Sequence, residues 1–152
     1  MEIIINKGEH RNTLYCKRAD GTFTSENLGP EIPNHDIAHF VVEKKFNLTK
    51  GFYGNIAAGM TIKDLSNKDI IKNLDSESWL AEIMTRNLQS LGSGAAIIEE
   101  YIELVTWEAS TMKNIQIPTM NLPQIHEMKA EYDALCKQWK LLPIHGELRL
   151  QF

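Results

Sequence analysis

What this chain has little of narrows the field first. Its 152 residues include two cysteines, Cys16 and Cys136, which sit in no CxxC or finger-like spacing. A secreted disulfide framework and a cysteine-built zinc finger are therefore both excluded from the expected classes. No apolar run reaches membrane-crossing length, and Met1 to Asn6 reads as a short β-rich run holding Glu2, not as a signal peptide. Sixteen basic against twenty acidic side chains leave a net charge of -4. That balance excludes a strongly electropositive nucleic-acid face. There is no GxSxG element, no GxGxxG phosphate cradle, no internal repeat and no linker long enough to divide the chain into domains. The expectation is a cytoplasmic chain with neither membrane nor nucleic acid among its partners.

What remains is ordinary globular material. With 43% hydrophobic and 24% charged residues, the chain has enough apolar surface for one core, read as a single domain over 1–152. Glu2–Ile5 and Thr13–Arg18, with Ala19-Asp20-Gly21 as a closing turn, predict an N-terminal hairpin, and Thr22–Thr24 starts a third short strand. Glu147–Phe152 alternates polar and apolar at period two, so the C-terminal strand is expected to pair with that hairpin. Between these ends the pattern is helical. A helix is predicted from His35 to about Phe46 with Asn34 as N-cap, and another opens at Asp75-Ser76. Apolar stripes run through Trp79/Leu80, Ile83/Met84, Leu88 and Leu91, then through Ile98, Tyr101/Ile102, Val105 and Ala109. The last helix carries Ile125, Met128, Tyr132, Leu135 and Trp139, with Pro118 and Pro123 bracketing the loop before it. The fold class is α+β: a small antiparallel sheet from both termini, packed with four to five helices.

One segment carries chemistry. In His35-Asp36-Ile37-Ala38-His39-Phe40-Val41-Val42-Glu43, the residues His35, His39 and Glu43 recur every four positions. On a helix each therefore lies about 40° round from the last. Two imidazoles one turn apart can grip a divalent transition metal, zinc being the first choice, with Glu43 as third ligand. Asp36 occupies the slot where an HExxH helix carries its glutamate base, so it is the candidate catalytic group. His35 lies in the first helical turn, where the positive end of the helix dipole favours the neutral ring that a metal needs. Glu82, on the polar side of its stripe, reads first as a solvated face and second as a ligand; His10, His126 and His145 read as surface residues. Gly51-Phe52-Tyr53-Gly54 reads as close backbone packing against the His35 helix, with Phe52 and Tyr53 as lid or core. Gly92-Ser93-Gly94 reads as an interhelix hinge, and both cysteines read as structural.

The function these residues predict is a metal-dependent hydrolase acting on a small molecule. Two alternatives stand beside it. One is a non-enzymatic binding or assembly module, a homodimer through the Ile125–Trp139 stripe, in which the His/Asp/Glu cluster is structural. The other is a metal-free pocket where His35 and Asp36 transfer protons.

The stretch His35 to Gly59 resembles the signature of a small bacterial protein family, HD-x-x-H-[FY]-x-V-E followed by a G-F-x-G turn and A-x-G. That resemblance covers roughly the first sixty residues and implies no particular activity. His35, Asp36 and His39 also match half of the zinc-binding HDxxH motif of a ubiquinone-biosynthesis accessory family, which implies zinc on the two histidines. The partner glutamate of that family falls where this chain has Gly51, and Glu43 is the nearest carboxylate on the same helix.

Overall fold

Alternating β-branched and apolar residues build the sheet. In the computed structural model, which describes residues 1–152, β1 (Glu2–Asn6) turns Ile3 and Ile5 inward and leaves its other residues half-exposed. It pairs antiparallel with β2 (Thr13–Lys17), Ile3 opposite Cys16 and Ile5 opposite Leu14. On its other edge it pairs antiparallel with β4 (Glu147–Gln151), Ile3 opposite Leu150 and Ile5 opposite Leu148. All these partners are buried, so one face of the sheet is apolar and must be covered. β3 (Phe23–Asn27) completes the order β3-β2-β1-β4 and begins one residue later than the sequence pattern suggests. The C-terminal strand does join the N-terminal hairpin, as expected.

Six α-helices fill the middle: α1 (Asn34–Phe46), α2 (Phe52–Ala57), α3 (Lys68–Ile71), α4 (Ser76–Ser93), α5 (Tyr101–Ser110) and α6 (Leu122–Leu141). Single 3₁₀ turns at Asp64–Ser66 and Ile98–Glu100 precede α3 and α5. The stripes read from the sequence are the core faces of α4, α5 and α6. Ile125, Met128, Tyr132 and Trp139 are all buried, although Leu135 is only half so. Asp75 caps α4 by accepting from the Glu77 N–H, and Asn121 with Gln124 forms a reciprocal capping box on α6. Pro123 thus lies inside the first turn of α6, where its missing N–H costs no hydrogen bond.

Two local expectations change. Asn34 does not cap α1: it is already the first helical residue, following Pro33, and no side chain caps that end. Gly51-Phe52-Tyr53-Gly54, read only as close packing, also starts a helix of its own: it opens α2, with Gly51 at its N-cap.

The central element is α1, packed against α4, α6 and α2. Every residue from Ile37 to Glu43 is buried. A helix enclosed on all sides shows no single apolar face, and its polar residues must find partners inside. That requirement places the site.

Candidate functional site

Helices α1 and α4 run antiparallel, so residues later along α1 meet residues earlier along α4. His35 faces Gln89, and His39 faces Glu82. The Nδ1–H of His35 donates to Gln89 Oε1 at 2.9 Å. On the enclosed side, the Nδ1 of His39 donates to Glu43 Oε1 at 3.0 Å. With their Nδ1 atoms engaged from behind, both rings turn Nε2 toward one oxygen, Glu82 Oε2. It lies 3.5 Å from His35 and 3.2 Å from His39. The two rings stand edge to face, 4.7 Å between centroids and 86° between planes.

One donor atom each from His35, His39 and Glu82 lies within 4.8 Å of the other two. An ion about 2.1 Å from each donor of a tetrahedral site would set the donors about 3.4 Å apart, close to the two separations found. The His39 side chain is 7% exposed and forms the floor, while those of His35 and Glu82 are 46% and 37% exposed. Solvent therefore reaches the group from one side only.

Glu43, the third ligand expected from spacing, lies elsewhere. It is fully buried behind His39, where its Oε1 holds the ring and its Oε2 accepts the Gly54 N–H at 3.0 Å. The three-donor group therefore contains Glu82 in its place, because the i, i+4, i+8 line of α1 wraps round the helix and carries Glu43 away from the α4 face. Asp36 does line the same hollow, half-buried. His10, His126 and His145 are exposed and stand outside the cluster. A signal for Glu82 does exist in the sequence. Ser78, Glu82, Thr85 and Gln89 recur at spacings of four, three and four, a polar line beside the apolar stripe of α4.

The glycines read as close packing behave so at Gly51, where an added Cβ would sit 2.3 Å from Glu43 Cδ. Tyr53 is fully buried and belongs to the core. Phe52 instead lies along the site, its ring centroid 5.4 Å from that of His39. Burial, with the Asp36 charge behind it, pushes the Cys16 thiol up to about 12, so that cysteine is an inert core residue.

Electrostatics follow from this packing. Burial by itself lowers the His39 pKa, but hydrogen bonds and charge from Glu43 and Glu82 overcome it and raise it from 6.5 to about 9. The hydrogen bond to Glu82 raises His35 in the same direction. Donation from His35 and His39 holds the Glu82 carboxyl well below the usual carboxylate range. Burial pushes Asp36 up. A histidine pKa raised on folding stabilises the fold fully below its unfolded value, and that contribution disappears as pH rises through the folded value. With divalent ions chelated, the melting temperature is therefore expected to fall between pH 6.5 and about 9. The loss should be of order 3 kcal/mol. Calorimetric melts across that range check it, and Glu82→Gln should flatten the decline.

No protein-family model, curated protein sequence or solved structure matches this chain. No helix is long and apolar enough to cross a membrane.

Proposed function

We propose that this chain is a cytoplasmic metal-dependent hydrolase in which His35 Nε2, His39 Nε2 and Glu82 Oε2 hold one divalent transition ion, zinc by preference. One observation carries the reading: both histidines have Nδ1 occupied by Gln89 or Glu43, and both direct Nε2 at the same carboxylate oxygen. Metal-ligating histidines characteristically donate their second N–H to a carboxylate or carbonyl in this way, which fixes tautomer and ring orientation. Two imidazoles and a carboxylate suit zinc, and the solvent-facing side leaves a position for water or substrate.

An ion held by His35, His39 and Glu82 would supply Lewis acidity for acidifying a water and polarising a carbonyl. The protein's own residues do the rest. Glu43 and Gln89 hold the imidazoles in place, and Asp36 takes the proton released as a water oxygen bonds to the substrate's acyl carbon. Asp36 then returns that proton to the leaving group as its bond to the acyl carbon breaks. The products are a carboxylic acid and an alcohol or amine.

A second reading has its own observation: both nitrogens of His39 already meet carboxylates, so an imidazolium there is satisfied without an ion. On that reading the cluster pins α1 to α4 in a non-enzymatic module. Titrating chelator-treated, folded protein with zinc separates the two. The metal reading expects one equivalent bound, and His39→Ala weakening that binding by roughly a hundred-fold or more. Folded wild-type protein that takes up no stoichiometric zinc overturns it in favour of the pin.

A further inference from the structure

The hollow above His35, His39 and Glu82 is a cavity of about 410 Å³. Its far wall is apolar: Phe52 from α2, Leu65 from the 3₁₀ turn, Ile71 from α3, Leu74 just before α4 and Trp79 in the first turn of α4. All five are only half-buried, so they present uncovered hydrocarbon to the space the site opens into. The two polar residues on that wall are largely spent. Asn55 uses its amide hydrogens on Lys50 O and Ser78 Oγ, and Ser78 itself donates to Lys50 O.

Charge selects further. No lysine or arginine lines the cavity, whereas two carboxylates, Asp36 and Glu82, do. Lys50 Nζ pairs with Asp75 at 2.6 Å, and Arg86 reaches Glu108 at 3.1 Å and the outer oxygen of Glu82, Oε1, at 3.8 Å without lining the cavity. An anionic group placed against the far wall would lose its hydration and find no cationic side chain there, the positive charge of an ion lying at the other end of the hollow between Glu82 and Asp36. A neutral apolar body loses nothing there and covers the exposed hydrocarbon. The volume falls within the range of small-molecule sites.

We infer that the substrate class is a neutral acyl compound, an ester or amide, whose compact aromatic or branched aliphatic body lies on the Phe52–Leu74–Trp79 wall with its carbonyl toward the three-donor group. This rests on the metal reading above. Hydrolysis of such a compound breaks one acyl C–O or C–N bond, with water supplying OH to the acyl carbon and H to the leaving group.

The test uses the full-length, zinc-loaded chain and three hydroxamic acids sharing one metal-chelating head. Benzohydroxamic acid is expected to bind about ten-fold or more tightly than acetohydroxamic acid, reflecting burial of its ring. A carboxylate at the para position of the ring should abolish that advantage. In Ile71→Asp, a change on a short helix with no buried residue, the preference for the aryl compound should shrink to about two-fold. Equal affinity for the acetyl and benzoyl compounds, or tighter binding of the carboxylated one, overturns the substrate class and leaves the metal reading intact. Failure of the protein to take up zinc at all overturns both.

Discussion

Glu82→Gln is expected to weaken zinc binding by roughly a hundred-fold or more, while Glu43→Gln weakens it by only about ten-fold. The difference follows from where each carboxylate stands. Glu82 presents a charged oxygen 3.2 and 3.5 Å from the two Nε2 atoms, and a neutral amide oxygen is a far poorer ligand. Glu43 acts only through the ring it holds, so its loss relaxes the orientation of His39 without removing a donor atom. The stability effects should run the other way. Glu43 is fully enclosed, and its replacement disturbs bonds to His39 and Gly54 at once, for about 2–3 kcal/mol. Glu82 is partly solvated, and its replacement should cost less in the chelated protein. Competition against a chromogenic chelator reads the affinities, and urea titration reads the stabilities. A larger affinity loss in folded Glu43→Gln would return the third ligand to Glu43.

Gly51→Ala should damage the protein through the buried Glu43 side chain. The new Cβ would fall 2.3 Å from Glu43 Cδ and 2.5 Å from its Oε2. The carboxylate must then leave a place where it is completely buried and doubly bonded, and no second place is prepared for it. Overpacking together with the broken bonds should cost about 3–5 kcal/mol, a drop of roughly 6–20 °C in melting temperature for a chain of this size. Zinc affinity should fall with it, because His39 loses its anchor. Gly29→Ala, whose Cβ meets nothing within 4 Å, should stay within about 0.5 kcal/mol of wild type. The sharper check is a double-mutant cycle. Glu43→Ala should absorb much of the Gly51→Ala penalty, because removing the carboxylate clears the space; strict additivity would show that the clash is relieved some other way.

Much of this architecture could be read before any coordinates. A β-branched run at one end and period-two alternation at the other pointed to the strands that pair, and a single-residue slip would turn Ile3 and Ile5 outward. The stripes of α4 and α6 were equally plain, and so was the start of α4 at Asp75-Ser76, but the start of α6 was not: Pro123, read as part of the loop, lies in its first turn behind the Asn121 cap. Helices α2 and α3 were not, being six and four residues long, too short for periodicity to declare itself. The histidine pair was legible because both members share one helix. Its carboxylate partner was legible only as one candidate, Glu82 on the polar line of α4, because spacing along α1 says nothing about which residue of a neighbouring helix crosses opposite. The departure at Gly51 and the presence of Glu43 looked like separate facts. In space they are one, the carboxylate occupying the room a side chain at 51 would need.

The antiparallel match of α1 with α4 has a consequence for how the protein matures. His35 with Gln89 and His39 with Glu82 act like a vernier. Sliding either cylinder by a single turn, about 5.4 Å, would leave each imidazole opposite the wrong neighbour. A nascent or partly collapsed chain consequently owns the histidines but not the coordination sphere. On the metal reading proposed above, ion capture would be a checkpoint that only the correctly registered structure passes, and each captured ion would in turn draw the population toward that register.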